Sequence, residues 1–269
     1  MQIRFRRFLS VDSAKAIKAQ SYGYLNGINY GAPHTFAGVG NMCGHASAGC
    51  IKICLAVESG QAAMHKAGEL NSVLRSRIAK TEYFMRDRPA FMAEFAYHIG
   101  KLYKESETAG LKSCARPNGS WDQKFESLPV AIDSNLAGLL SKYMNRPVLE
   151  GRYKNLMALF PEVQFVDYTK NPNRFAHKLP SNYNLTFSLS ETNESTARAV
   201  LASGFNVAAV FADELPETYL GRPVHNGDLH DLRFLDPQGG YIIGLSPKGR
   251  AAKRDQSGFV IRNYAARNN

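Results

Sequence analysis

The chain has few cysteines, four in 269 residues, and several familiar signatures are missing. No apolar run approaches the 18 residues a membrane helix needs, so no span is expected. The first ten residues, Met1 to Ser10, are basic, but no apolar h-region follows them, so a secretory leader is not expected either. Four thiols without a leader suit a reducing cytoplasm, where metal binding or catalysis explains cysteine better than disulfides do. There is no P-loop, no G-x-S-x-G, no H-E-x-x-H and no relaxase-type histidine pair, which leaves ATPase and common hydrolase readings without a starting residue. Paired C-x2-C knuckles are absent, as are internal repeats and low-complexity stretches.

What is present is a concentration of thiols. Cys43, Cys50 and Cys54 fall in one short stretch, spaced C-x6-C-x3-C, and Cys114 stands alone. Thiolates are soft ligands that select zinc, copper(I) or iron–sulfur clusters. Three of them on one loop can hold a metal centre, whereas a lone cysteine such as Cys114 suits a packed core. Cys50 and Cys54 stand at i and i+4, so one helical turn would present both to the same centre. Gly44 and Gly49 would supply tight turns. For zinc, His45 or Cys114 would be the fourth ligand.

Lys and Arg number 33 against 23 Asp and Glu, a net charge of +10. Such an excess favours a polyanionic partner, nucleic acid or a nucleotide, although solvated surface lysines produce the same balance.

Periodicity orders the rest. Thr35–Gly40 reads as a first strand feeding the cysteine loop. Leu70 to Phe84 steps by threes and fours, as a helix does. Asp87-Arg88-Pro89 starts a second helix with Phe91, Phe95, Ile99 and Leu102 on one face, ending near Gly110. Strands are expected at Leu111–Arg116, Val163–Lys170, Tyr183–Leu189, Phe205–Phe211, Tyr241–Leu245 and Gly258–Ile261, with helices between 125 and 160 and from Asn193 or Ser195 to Leu201. This alternation predicts an α/β fold with a largely parallel sheet. Chemistry in such sheets gathers at the C-terminal strand ends. The polar segments leaving those ends supply the candidates: Asn118 and Ser120, Thr169 and Lys170, Ser188, Ser190 and Glu191. Lys170, leaving a buried strand, suits a phosphate or carboxylate. Asp228, His230, Asp231 and Asp236 form a later acidic group able in principle to hold a divalent ion, as nuclease carboxylates do.

Several separated motifs resemble one family: Cys43…Cys54-Leu55, Arg77-Ile-Ala-Lys-Thr81, Asp87-Arg88-Pro-Ala-Phe91, Asp167-Tyr-Thr-Lys170, Leu185–Glu191, Asp231–Pro237 and Ser257-Gly-Phe-Val260. Over residues 41 to 261 the chain is similar to the phage gene-product-88-like proteins, which implies a phage-encoded protein in the host cytoplasm. More distantly it resembles radical S-adenosylmethionine enzymes, whose usual cysteine spacing is C-x3-C-x2-C. That resemblance implies a partial (β/α) barrel and a [4Fe–4S] cluster on Cys43, Cys50 and Cys54. It also implies bound S-adenosylmethionine, with Asn118, Ser120, Thr169, Ser188 and Ser190 as cofactor contacts and Lys170 and Glu191 as catalytic groups. The expected organisation is an N-terminal extension (1–40), a barrel-like domain (41–261) and a C-terminal tail (262–269). The alternative is a nucleic-acid-binding or nuclease-type protein with structural zinc in the cysteine loop and a divalent ion on the later acidic group. A third reading is a non-catalytic binding protein with a structural metal.

Overall fold

The computed structural model describes residues 3–64 and 69–262. All but the first residue of the expected C-terminal tail therefore lies outside the described residues. In chain order come β1 (Leu9–Ser10), α1 (Ala14–Gln20), β2 (Tyr24–Asn29), α2 (Ala48–Lys52), α3 (Leu55–Glu58), α4 (Ser72–Arg86), α5 (Arg88–Thr108) and β3 (Lys112–Arg116). Then follow β4 (Val130–Ile132), α6 (Ser134–Met144), β5 (Gly151–Tyr153), α7 (Leu156–Leu159), β6 (Gln164–Thr169), β7 (Tyr183–Ser188), α8 (Glu194–Ala202) and β8 (Val207–Phe211). The chain continues with β9 (Thr218–Tyr219), β10 (Arg222–Asn226), β11 (Ile242–Leu245), α9 (Gly249–Lys253) and β12 (Val260–Ile261).

Ten strands form one mixed sheet in the order β1-β2-β3-β6-β7-β8-β11-β10-β9, with β12 paired to β8 off this path. From β2 to β10 every neighbouring pair is parallel, and only the edge strands β1 and β9 run antiparallel. Among the described residues the sheet does not close, so the expected barrel is an open, largely parallel sheet with β1 and β9 as its edges.

The first forty residues are not an extension. β2 pairs with β3 from Tyr24↔Lys112 to Ile28↔Arg116 and is an interior strand of the sheet. The expected strand at Thr35–Gly40 is instead a run of turns and bends. Its alternation of small residues and Gly fits turns as readily as a strand, because Gly weakens strand interiors.

One face of the sheet is covered by α5, against which α4 and α6 pack. Asp87 caps α5 by accepting from the Ala90 N–H (3.1 Å), and Pro89 occupies its first turn. Phe91, Phe95, Ile99 and Leu102 then point along one stripe and are all buried, with Phe8, Trp121 and Phe125 packed among them. Each such side chain contributes about 1.5–3 kcal/mol by leaving water. The other face carries a smaller cluster around Cys114, Val166, Leu232 and Ala19 of α1.

Near the middle of the sheet the strands part. β7 pairs with β8 only at Phe187↔Val207 and Ser188↔Ala208. Beyond that point Val210 and Phe211 pair with Val260 and Ile261 of β12, while β11 holds the opposite edge of β8 up to Val210. β12 is thus wedged in where β7 leaves β8, and the divergence opens a crevice at the C-terminal ends of the strands, the position ligands favour in open parallel sheets.

Candidate functional site

The crevice is a cavity of about 240 Å³ whose wall includes Cys43, Cys50 and Cys54. Opposite the thiols lie residues that leave four strands: Arg116 to Asp122 after β3, Tyr168 to Lys170 at β6, Ser188 of β7, and Ser246 to Lys248 after β11. Most of the polar strand ends singled out in the sequence therefore share one mouth with the cysteine loop.

The loop is held by hydrogen bonds rather than by its own regular structure. Ser47 caps α2 by accepting from Cys50 N–H (3.2 Å), and the Ser47 hydroxyl donates to Glu191 Oε2 (2.7 Å). Glu191 Oε1 accepts the Gly49 N–H (2.7 Å). Gly49 is helical, not a turn residue. A Cβ there would stand 2.4 Å from Ser257 Oγ and 2.8 Å from Glu191 Oε1, so its role is to let the loop come close to the residues beneath it. Gly44 shows no left-handed backbone.

The expected shared helical turn for Cys50 and Cys54 is not formed. Cys50 belongs to α2, the chain leaves helical geometry at Ile53, and Cys54 caps α3. The bend still turns both thiols to the cavity. Arg77 of α4 supports this segment by donating to the Ala56 carbonyl and lying over the Tyr30 ring (4.9 Å).

Cys43 Sγ accepts the His34 N–H at 3.4 Å, and a backbone amide also reaches Cys54. Burial pushes the Cys43 thiol up to about 12 and Cys54 up to about 11, while Asp122 and the neighbouring thiols add to the rise at Cys43. All four cysteines are free thiols. Cys114 lies in β3, fully buried beside Val166 and Leu232, and does not line the cavity. His45 is exposed and also lies off the cavity wall. Neither therefore stands where a fourth ligand would.

Asp122 organises the opposite wall. Its backbone N–H donates to Met42 O (2.9 Å), fastening this loop to the start of the cysteine segment. Its carboxylate accepts from the Thr169 hydroxyl (2.8 Å), Lys170 N–H (2.9 Å) and Arg174 Nη1 (2.8 Å). Beneath it, Asp167 accepts from Asn118 N–H (2.7 Å), Asn118 Nδ2 (2.8 Å) and the Tyr183 hydroxyl (2.7 Å). Complete burial raises Asp167 to about 7, against the pull of Arg174 and these donors.

These bonds sort the expected site residues. Asn118 and Thr169 line the cavity with their side chains engaged by Asp167, Gln123 and Asp122. Ser120 lines it and donates to Gly31 O (2.5 Å). Lys170 Nζ donates to Ser188 Oγ (3.0 Å) and sits 5.1 Å from the Phe259 ring centre. No carboxylate lies within ion-pair distance of Lys170 among the described residues. Ser190 and Glu191 do not line the cavity. Glu191 acts on the cysteine loop from behind, and the Ser190 N–H caps back onto Asn193 (2.7 Å). Tyr168 belongs to the Asp167–Lys170 segment singled out in the sequence, whereas sequence reasoning left Asp122 without a role and missed Arg116 and Phe259 as wall residues. Their signal was position alone, at the ends of strands whose order only the fold reveals.

The later acidic group does not assemble. Asp228 pairs with Lys248 (2.9 Å), Asp231 with Arg116 (2.7 Å) and Asp236 with Arg233 (3.2 Å). Each carboxylate meets its own cation. His230 lies 3.8 Å from Asp236, and burial lowers it to about 4. Among the described residues, no three His, Cys, Asp or Glu side chains converge on one point as ready ligands for a single ion, the three thiols included. No helix among those residues is long and apolar enough to cross a membrane.

No curated protein and no solved structure matches the chain. A family model described as gene product 88 matches residues 7–263, which takes in the first two strands as well as the cysteine loop, and the chain belongs to the gene product 88 family.

Proposed function

We propose that the chain is an iron–sulfur enzyme of the radical S-adenosylmethionine type acting on a nucleic acid or nucleotide. Cys43, Cys50 and Cys54 would hold a [4Fe–4S] cluster at the cavity mouth. The observation that carries this reading is that three thiols of one loop and the polar ends of four strands line a single cavity, while Cys114 lies deeper in β3 among Val166, Leu232 and Ala19 and does not line it. Three cysteines leave one iron of a cubane without a protein ligand, which suits a site that binds a small molecule better than a closed electron-transfer centre.

The donor set is right in kind, soft thiolates on one wall of a cavity. The amide bonds onto Cys43 and Cys54 are of the type that tunes cluster sulfurs. When bound, the cluster would supply one-electron chemistry that side chains cannot perform. The chain's own residues do the remaining work. Lys170, held against Ser188 and Phe259, offers a cation to a carboxylate or phosphate. Ile53, Leu55, Val210 and Phe259 make much of the wall apolar and exclude water. Glu191 positions the loop rather than touching a ligand. An open-sided barrel around this mouth and a reducing host cytoplasm complete the reading.

The zinc and nuclease alternative has less support. A structural zinc needs a fourth ligand to close its site, and neither Cys114 nor His45 lines the cavity. Its acidic group is already neutralised residue by residue. A non-catalytic role would leave the cavity between the thiols and Lys170 without a purpose.

Anaerobic purification with iron, sulfide and zinc analysis tests the proposal. The expected protein is brown, absorbs broadly near about 400 nm and carries about four iron and four sulfide per chain. It cleaves S-adenosylmethionine after reduction. One zinc and no iron would overturn it.

A further inference from the structure

A second concavity lies beside the first and is much larger, about 850 Å³. Three exposed lysines line it, Lys124, Lys154 and Lys178, together with His177. Among the described residues none of the three lysines is within ion-pair distance of a carboxylate. The acid that also lines the groove, Glu126, is already occupied: Arg174 grips it with Nε to Oε1 (2.9 Å) and Nη2 to Oε2 (2.8 Å). Arg174 itself is buried, and its remaining arm reaches Asp122 at 2.8 Å, a residue of the thiol cavity. The Asp122–Arg174–Glu126 chain of ion pairs is therefore a wall shared by the groove and the cavity.

From this we infer that the groove binds the phosphodiester backbone of a single nucleic-acid strand. Unpaired lysines spaced along an open groove suit a repeating anion. The exposed side chains of Asn173, Ser127 and Ser181 add hydrogen-bonding groups along the same surface. The groove has no aromatic side chain on its wall, so it lacks a stacking platform and reads charge rather than sequence. The inference deepens the nucleic-acid side of the proposed function and does not need the cluster.

The test uses the full chain after chelator treatment, a labelled single-stranded oligonucleotide about 12 nucleotides long, and fluorescence anisotropy across a salt series. Three phosphate contacts predict a log–log salt slope of about −2. The triple variant Lys124→Gln, Lys154→Gln, Lys178→Gln should flatten that slope and weaken binding by about 10- to 100-fold at ~0.1 M salt. A control triple on the outer helices, Lys101→Gln, Lys104→Gln, Lys142→Gln, should leave both nearly unchanged. Equal losses in the two triples, or no binding by the parent protein, overturn the inference. So does displacement of the strand by an equal phosphate concentration of free inorganic phosphate, which would make the groove a small-anion site. Iron and sulfide content of the groove triple is measured separately. A cluster-loaded protein that ignores the strand refutes the groove alone, and a zinc protein that binds it refutes the cluster alone.

Discussion

Cys114 and the three cavity cysteines receive opposite treatment from the same sheet. Cys114 faces the side of β3 where Val166, Leu232 and Ala19 pack around it, and full burial holds its thiol well above the ordinary range. Cys43, Cys50 and Cys54 are only partly buried, sit on a loop pinned by Ser47 and Glu191, and share a wall with Lys170 and Ser188. Cys114, enclosed by apolar side chains, is a small hydrophobe of the core, whereas the other three stand at the wall of a cavity, where the proposed function would use them as ligands.

The sharpest way to break that contrast is to swap alanine into each region. Cys43→Ala is expected to abolish bound iron and sulfide and the associated absorption band, while Cys114→Ala retains both. Parallel metal analysis of the two variants checks it. Equal loss in both would place Cys114 in the site and erase the distinction.

A second contrast concerns buried charge. At the cavity, Asp122 is surrounded by Thr169, Lys170 and Arg174. Under the helical face Lys80 donates to Phe8 O (2.7 Å), with Arg77, Glu94 and His98 around it. Burial lowers Lys80 to about 7, with Arg77 adding to the fall and Glu94 opposing it. A folded pKa below the unfolded value near 10.4 means that the unfolded chain holds the extra proton between about pH 7 and pH 10. Stability should therefore rise with pH across that window, by about 1.4 kcal/mol per unit at most. Urea unfolding at several pH values checks this, with Lys80→Met expected to flatten the rise.

Much of this arrangement was legible before any coordinates. The caps and breaks at Asp87-Arg88-Pro89, the stripe of Phe91, Phe95, Ile99 and Leu102, and the strands β3, β6, β7 and β8 follow from periodicity and turn chemistry, which are local, whereas the short antiparallel pair β4 and β5 falls in a stretch expected to be helical. The thiol loop and the strand-end polar residues were legible for the same reason. What sequence could not supply was pairing. Nothing local distinguishes β2, with its Asn and Gly, from a loop, yet it is an interior strand. Glu191 looked like a reacting carboxylate because it leaves β7 beside Ser188. Only the approach of Gly49, 142 residues away in sequence, turns it into an anchor. The acidic residues 228 to 236 looked like one group because they are close in sequence, and the fold hands each to a different cation.

The anchor gives a third, intermediate prediction. Glu191→Gln keeps one acceptor but loses the charge shared by Ser47 and Gly49, at a cost of about 1–2 kcal/mol for a partly exposed group. Metal content should fall several-fold, and the remaining cluster should dissociate faster under chelator. Gly49→Ala should act more strongly on loading, since its Cβ meets Ser257 and Glu191. Full loading of both variants would mean that the loop does not depend on its anchor.

The smallest expected effect returns to β3. Replacing Cys114 by alanine removes one fully buried sulfur from a tight cluster, so the loss is about 1 kcal/mol in unfolding free energy. Serine at the same place should cost more, because its hydroxyl would be buried in the apolar cluster that Val166, Leu232 and Ala19 form. Measured by denaturant midpoint with iron content followed in parallel, the order parent, alanine, serine in stability with unchanged iron is the signature of a packing residue. The reverse order, or iron that falls with stability, would mean that β3 presents Cys114 to the cavity after all. In that case the distinction between a packed thiol and a ligand thiol would have to be drawn within the loop, between Cys43 and its two neighbours.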